Sequence, residues 1–431
     1  MNRELLKLAL PNILSNLSVP LLGSVDTALM GHLSAEHLAA LGVAGMMLMF
    51  LYGNMGFLRM GTTGMSAQAL GAGNPREWSL VLWRSLLLAG AISVVLILGQ
   101  RLLFELGAWL MHVTPDYEPL AWEYFRIRIW SAPAVLGQLG IMGFFFGMQN
   151  ARYPLYITLT VNGVNILLSY LLVYQWGWGI AGAAWGSVVA QYIGLFFGVW
   201  LLRRRCRHPL VSVDLRAVLE RDGLGRFFHV NRNIFFRTVA LTFSLLFFYA
   251  QAARISETTL SAMIVMMQFV VWMSFAIDGF ANAAESLVGR AYGAGDWQRL
   301  QKAAMTSLLW GAGLALLFAG VYGAYGRELA ALFTDQEEVL EAIEPLLDWV
   351  GWLPVVSFGA FVFDGIFIGM TAVLSMRNSV VLAMGAYLGA SWVAPRFLEP
   401  SVALWLSFML FFFLRGAYLA WVFWYRRWDA L

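Results

Sequence analysis

The sequence predicts an all-α integral membrane protein with about twelve transmembrane helices in two pseudo-symmetric six-helix bundles. Composition is the first reason: the 431 residues are 60% hydrophobic and 12% charged, with a mean hydropathy of +0.69, whereas soluble chains carry roughly 25% charged residues. Length is the second, because apolar runs long enough to cross ~30 Å of hydrocarbon recur along the whole chain. The third is an internal repeat.

The apolar runs place the spans with a window of about 20 residues. The eleventh is the shortest, because Pro395 and Pro400 follow it closely. The first run is long and lacks an A-x-A-like cleavage site, so we expect it to remain as a spanning helix. The predicted spans are 6–30, 38–62, 80–103, 119–146, 153–175, 180–202, 228–252, 258–286, 303–325, 345–369, 377–394 and 402–425.

Lysine and arginine concentrate in alternate loops. Positive charge resists translocation, so the basic set of loops, which includes Arg203–Arg207 and both chain ends, is predicted to be cytoplasmic. The opposite set is acidic, as in "ELGAWLMHVTPDYEPLAWE". We therefore expect a multi-pass protein of the cell inner (plasma) membrane with both termini in the cytoplasm, and we interpret the arginine run as a topology signal rather than a nucleic-acid patch.

The chain repeats itself at a constant offset. The segment "LGAGNPREW" resembles "YGAGDWQRL" 222 residues later, and the same offset relates "FFFGM" to "IFIGM". Because 222 residues span an even number of membrane crossings, both copies enter the membrane in the same direction. This predicts two parallel halves with a cavity between them, a common design of transporters. The predicted organisation is an N-lobe at 1–205, a basic cytoplasmic linker at 206–226 and a C-lobe at 227–431.

Several function classes lack their residues. Cys206 is the single cysteine, the five histidines are scattered, and no phosphate-binding loop motif is present. Without a nucleophile and base, or metal ligands at suitable spacing, we predict neither an enzyme nor a bound metal or cofactor.

Asp26 stands in an apolar run with no basic residue within a helical turn. A charge at mid-bilayer costs about 2.5–3.5 kcal/mol on insertion scales, and desolvation favours the protonated form of a carboxyl group. Asp26 is therefore a candidate for proton or cation coupling, with a satisfied structural acid as the alternative. Pro11 and Pro20 make a kink of this helix available.

The fifth span places Asn162, Asn165 and Ser169 on one helix face. Ser187 comes from the sixth span. These groups either bond helices together or form a cluster that tunes Asp26.

The second half carries acids at membrane depth. Asp278 and Asp364 are open to substrate contact, coupling or structural pairing, while Glu285 lies near the cytoplasmic end and could pair with Arg59 or Arg237. Arg415 is a third basic residue within a span.

Four segments carry a resemblance to a known family. "LPNILSNLSVPLLGSVDTALMGHL", "FLRMGTTGMSAQALGAGN", "FAIDGFANAAESLVGRAYGAGD" and "FDGIFIGMT" resemble the MATE multidrug exporters, in particular the DinF-like branch. The resemblance covers nearly the whole chain. It implies two six-helix lobes arranged as a V and cation-driven export of bulky, often cationic or amphipathic compounds.

The resemblance also implies residue roles. Asp26 matches the coupling aspartate of the first helix, Pro11 the proline at which that helix bends, and Asn165 the fifth-helix asparagine. Ser169 stands where several members have a second aspartate, and Ser187 where they have a threonine. The seventh span also lacks the acid of a second-lobe sodium site. The two missing acids, at Ser169 and in the seventh span, favour protons over sodium.

We therefore expect a secondary active antiporter that exports lipophilic or cationic drug-like small molecules in exchange for protons by alternating access. Its sodium-coupled version and a flippase for a lipid-linked envelope intermediate are the alternatives. We expect the bilayer, the substrate and protons as partners, and a monomer. Soft apolar side chains suit a promiscuous cavity, and the predicted lining is Met30, Met46, Met142, Phe145 and Asn162.

Overall fold

The computed structural model describes residues 1–31, 34–205 and 214–425, with side chains for all of these except 17–31, Ala35 and Arg205. Within those ranges all regular secondary structure is helical, as the all-α prediction requires. The α-helices are α1 Asn2–Gly31, α2 Ala35–Gly53, α3 Phe57–Gly71, α4 Pro75–Leu98, α5 Gln100–Leu110, α6 Glu118–Arg128, α7 Ala132–Gly147, α8 Arg152–Tyr170, α9 Gly179–Arg205, α10 Leu215–Val218, α11 Arg221–Ile255, α12 Glu257–Gly293, α13 Trp297–Ala331, α14 Glu337–Val350, α15 Leu353–Gly369, α16 Val373–Val393 and α17 Pro400–Tyr425.

Most of the predicted spans correspond to helices of membrane-crossing length. In the described part of the chain, nine helical stretches are long and apolar enough to span a bilayer, and α14 with α15 make a tenth that bends by 65°. Helix α16 is not among them. Arg377 and Asn378 lie near its beginning, which leaves an apolar part shorter than the ~20 residues that a span needs.

The structure confirms the internal repeat at the helix ends. Serine, asparagine and aspartate caps satisfy the first free backbone N–H groups of a helix, and residues with positive φ mark the same tight turns in both halves. Four pairs of such residues lie 222 positions apart: the caps Ser34 and Ser256, the caps Asn74 and Asp296, and the positive-φ pairs Gly73 and Gly295, and Gln149 and Thr371.

The described chain divides into two compact units. Unit N is Leu14–Asn231, and unit C combines Met1–Ile13 with Arg232–Leu431. Helices α1 and α11 therefore each contribute to both units. The first turns of α1 pack with unit C, where Glu4 lies 3.5 Å from Arg299.

Unit N is organised around α7, which packs against α3 and α4, while α8 packs along α9. Its apolar core includes Trp78 of α4, Phe144 of α7 and Ile157 of α8. Each of these helices buries the face that carries its apolar residues. The α8–α9 pair carries the polar residues that were predicted as a coupling cluster.

Unit C is organised around α12, α15 and α17, with α16 packed on α17. Aromatic rings fill the space between α11, α16 and α17. The centroid of the Phe248 ring lies 4.7 Å from that of Phe408, and Tyr387 lies 5.9 Å from the same ring. This aromatic core lies next to the basic and acidic side chains of the unit.

A buried arginine holds the chain that precedes α11. Arg84 of α4 is 1% exposed and donates hydrogen bonds of 3.2 Å to the carbonyl oxygens of Ala217 and Val218. A Cβ atom on Gly223 would lie 2.2 Å from Nη2 of Arg84, so this position has no room for a side chain. Arg226 donates a further hydrogen bond of 3.1 Å to Gln68. The segment up to Asn231 is therefore part of unit N.

Candidate functional site

A buried polar cluster joins α8 to α9 inside unit N. Asn165 is 1% exposed and donates a hydrogen bond of 2.7 Å from Nδ2 to Oγ of Ser187, which is 2% exposed. Ser169 is fully buried one turn further along α8. A Cβ atom on Gly186 would lie 2.9 Å from Oγ of Ser169, so the two helices approach closely at this point. We call Asn165, Ser169 and Ser187 the α8–α9 cluster.

Two polar atoms of the α8–α9 cluster have no partner in the part of the chain that the structure describes. They are Oδ1 of Asn165 and Oγ of Ser169. A buried polar atom without a hydrogen bond costs about 1–3 kcal/mol, so such atoms usually serve a ligand, a water or a neighbouring group. An amide oxygen accepts a hydrogen bond from a protonated carboxyl group, and a hydroxyl group can donate one to an ionised carboxylate. The two atoms together therefore suit a carboxyl group in either protonation state.

Asp26 belongs to α1, but its side chain is outside the described residues, as is that of Met30. The helix that carries Asp26 is continuous from Asn2 to Gly31. Pro11 is half-buried within it, and the division between the two units falls two residues later, after Ile13. The bend expected at Pro11 and the role of Asp26 remain predictions.

The residues predicted to line a cavity lie in different surroundings. Met46 of α2 is 55% exposed, whereas Phe145 of α7 is 1% exposed and packs edge-on against Tyr153 at 5.1 Å. Met142 packs against the same apolar core, and Asn162 is half-buried on α8. Phe145 therefore contributes to helix packing in this structure, and Met46 presents the most open surface of the four.

Unit C contains a buried ionic cluster. Arg415 of α17 donates from Nη2 to Oδ2 of Asp364 on α15 at 2.6 Å, and Arg237 of α11 donates to the same oxygen. The three side chains are 2–7% exposed. The guanidinium of Arg415 also lies 5.3 Å from the centre of the Phe411 ring, a favourable cation–π distance. We call Arg237, Asp364 and Arg415 the C-unit ionic cluster.

This cluster gives Asp364 a structural partner on each of two helices. Both arginines bind Oδ2 of Asp364, whereas Oδ1 is buried without a hydrogen-bond partner among the described residues; this geometry is that of a structural ion pair, and substrate contact and coupling stay open for Asp364. Arg237, considered as a partner for Glu285, makes its described ion pair with Asp364. Asp278 is half-buried on α12. Glu285 is 2% exposed on α12.

Arg59 lies in unit N on α3. Its guanidinium carbon lies 5.6 Å from the centre of the Phe146 ring, and the side chain is half-buried. The sequence offered no signal for this ring contact. The same is true of Arg84, which counts as a loop charge in the sequence and is fully buried in the structure. Among the described residues, no group of histidine, cysteine and acidic side chains is arranged to hold a metal ion.

A duplicated bundle of bilayer-length helices, with polar groups buried at membrane depth, defines a multi-pass membrane protein of the two-lobed transporter class. Comparison with known proteins identifies the family. The MatE family model matches residues 11–171 and 234–393, and the chain belongs to this family of MATE transporters.

The relatives cover nearly the whole chain. The chain is 33% identical to DNA damage-inducible protein F of Escherichia coli (strain K12), over 99% of this chain and 93% of the relative. It is 26% identical to a probable multidrug resistance protein NorM of Rhizobium meliloti (strain 1021), over 89% and 84%. An outward-facing structure of a multidrug resistance MATE family transporter of the MOP superfamily superposes with a TM-score of 0.88 at 18% identity, over 97% and 94%. The two-lobed helical fold is thus that of MATE transporters.

Proposed function

We propose that the protein is an antiporter that exports lipophilic or cationic small molecules in exchange for protons, and that Asp26 carries the coupling proton. The observation that carries this proposal is the pair of buried, unpartnered oxygens on Asn165 and Ser169 among the described residues. They offer an acceptor for a protonated carboxyl group and a donor for an ionised one. Asp26 is the acid that the sequence places at membrane depth in unit N.

Coupling requires that protonation and substrate binding favour different conformations, because an effector shifts an equilibrium only through its differential affinity. In this proposal, ionised Asp26 favours the state that binds a cationic or amphipathic substrate. Protonation lets the carboxyl group bond to Asn165, which favours rearrangement of α1 near Pro11 and release of the substrate. Met30, Met46, Met142, Phe145 and Asn162 are proposed to contact the substrate during this cycle.

Protons are preferred to sodium for two reasons. Sodium, like other hard cations, is held by several oxygen ligands, and carboxylates supply the charge. Ser169 provides a neutral hydroxyl in the α8–α9 cluster, and the carboxylate of Asp364 is already shared by two arginines. Among the described residues, neither the α8–α9 cluster nor the C-unit ionic cluster therefore offers a pair of free carboxylates for a metal cation.

A flippase for a lipid-linked pyrophosphate would need arginines that are available to a phosphate. The two arginines buried in unit C, Arg237 and Arg415, are both bound to Asp364, which counts against a pyrophosphate site at that place.

The test is efflux from proteoliposomes that contain the purified protein. We expect a pH gradient to drive efflux of a cationic dye, a sodium gradient to have no effect, and Asp26→Asn to abolish the response while the protein still binds dye. The control is Glu36→Gln, which removes an exposed acid in the first turn of α2. Sodium-driven efflux, or coupled efflux by Asp26→Asn, would overturn the proposal.

The location of the protein in the cell is proposed from its loop charges. We infer an inner-membrane protein with both termini in the cytoplasm, because the basic loops of the sequence fall on the side of the chain ends. We further propose that it works as a monomer, since each chain supplies both units of the repeat.

A further inference from the structure

A cavity of about 720 Å³ opens on unit N where the end of α4 and the start of α5 meet α6 and α9. Its volume is within the range of roughly 300–1,000 Å³ that is usual for small-molecule sites. The cavity is separate from the α8–α9 cluster and plays no part in the proposed coupling. Its lining combines three tryptophans with three charged side chains: Trp122, Trp130, Trp185, Arg101, Glu123 and Arg126.

The neighbouring helix has the features of an interfacial helix at the mouth of this cavity. Helix α5 follows directly after the span α4 and has two distinct faces. Phe104 is 1% exposed and packs on Trp122 with ring centres 5.0 Å apart, whereas Leu102 and Trp109 are 71% and 72% exposed. A short helix that exposes apolar side chains next to a span lies in the headgroup region of a bilayer, where tryptophan is also enriched.

The charged side chains present both signs at the cavity. Arg101 uses Nε for a hydrogen bond of 2.5 Å to Glu105, and its guanidinium lies 5.0 Å from the centre of the Trp122 ring. Its two Nη groups therefore remain as donors. Nη2 of Arg126 lies 4.0 Å from Oε1 of Glu123, so a basic and an acidic group face the same opening.

We propose that this cavity binds a zwitterionic phospholipid of the phosphatidylethanolamine type. The phosphodiester contacts Arg101 and Arg126, the ammonium group contacts Glu123, and one acyl chain lies along Trp130 and Trp185. A phosphate beside two arginines gains charge-assisted hydrogen bonds. The carboxylate of Glu123 repels a purely anionic headgroup and attracts an ammonium group, so the paired signs favour the zwitterion.

The proposal is tested by native mass spectrometry of the delipidated full-length protein in detergent. The probes are phosphatidylethanolamine, phosphatidylcholine and phosphatidylglycerol with identical acyl chains. We expect phosphatidylethanolamine to bind most tightly, because its ammonium group donates hydrogen bonds that a trimethylated ammonium cannot. Arg101→Gln with Arg126→Gln should weaken its binding about tenfold, equivalent to about 1.4 kcal/mol.

Arg396→Gln is the matched control. Arg396 also lies over an exposed tryptophan, 4.6 Å from the centre of the Trp392 ring, but it belongs to unit C and is not in the lining of this cavity. Its replacement should leave lipid binding unchanged. Glu123→Gln gives an independent test: it should remove the preference for phosphatidylethanolamine over phosphatidylglycerol and keep the phosphate contacts.

Two results would overturn the assignment. One is equal binding of phosphatidylethanolamine and phosphatidylglycerol by the unmodified protein. The other is a loss with Arg396→Gln as large as that with the double variant, which would indicate general lipid adhesion only. Glu123→Gln leaves both arginines in place and is judged by selectivity between the two lipids, so it decides the matter even where the double variant does not fold. Proton coupling is measured separately and does not depend on either result.

Discussion

Arg415 donates a hydrogen bond of 2.6 Å to the carboxylate of Asp364, and both side chains are buried in unit C. Because Arg237 donates to the same oxygen, one carboxylate connects three helices, α11, α15 and α17. A buried charge is tolerated only with its partners in place. This acid therefore joins α15 to α11 and α17 within unit C.

Asp364→Asn is expected to destabilise the protein strongly. The substitution leaves two buried guanidinium groups without their shared counter-charge, and loss of one partner of a buried ion pair costs about 3–5 kcal/mol. Thermal unfolding of the purified protein in detergent measures the effect. The comparison is Asp364→Leu combined with Arg237→Met and Arg415→Met, which removes the whole cluster. We expect this triple variant to be more stable than Asp364→Asn, and the reverse order would contradict a structural ion cluster.

Gly223→Ala is expected to loosen the segment that precedes α11. The added methyl group would lie within 2.2 Å of Arg84 Nη2, so Arg84 must give up its hydrogen bonds to the carbonyl groups of Ala217 and Val218. We expect a loss of about 1–3 kcal/mol in the free energy of unfolding and faster proteolysis near Arg221. Gly225→Ala is the control, since a Cβ atom there meets nothing within 4 Å. Equal effects of the two substitutions would count against the role of Arg84.

Ser169→Asp is expected to introduce a response to sodium. Ser169 lies fully buried beside Asn165, and a second carboxylate in the α8–α9 cluster would supply the charge that a hard cation requires. Efflux from proteoliposomes under a sodium gradient measures the change. Ser169→Asn, which is similar in size but neutral, should stay insensitive to sodium. If sodium leaves efflux by Ser169→Asp unchanged, the hydroxyl at this position does not determine the choice of ion.

The proposed topology can be tested with the single cysteine of the chain. Cys206 lies in the basic segment that is expected in the cytoplasm. A membrane-impermeant maleimide should label it in inside-out vesicles and not in intact spheroplasts, and Cys206→Ser removes the signal. Labelling from the outside would invert the predicted orientation.

Much of the fold could be predicted from the sequence, because hydropathy and repetition are local properties. The 222-residue offset found in "LGAGNPREW" and "YGAGDWQRL" reappears in the helix caps Asn74 and Asp296. The helical spans were predictable for the same reason. Helix α16 shows the limit of prediction from hydropathy. Its polar beginning shortens the apolar stretch, and Arg377 donates a hydrogen bond of 3.0 Å to Asn233 of α11.

The arrangement of the polar residues was predictable only in part. The spacing of Asn165 and Ser169 places them on one face of α8, but the hydrogen bond from Asn165 to Ser187 of α9 depends on how the two helices pack. The partner of Asp364 was not predictable, because Arg237 and Arg415 are distant in sequence and three basic residues were available. Arg84 gave no signal, since a charge near a helix end appears exposed until the fold covers it.

Proton release on substrate binding tests the central claim most directly. The purified protein is mixed with a cationic substrate in weakly buffered solution at a pH near neutral, and the pH change is recorded together with the amount of substrate bound. We expect the unmodified protein to release up to one proton per bound substrate and Asp26→Asn to release none. Substrate binding that releases no proton from the unmodified protein, or equal release from Asp26→Asn, would contradict proton coupling at Asp26.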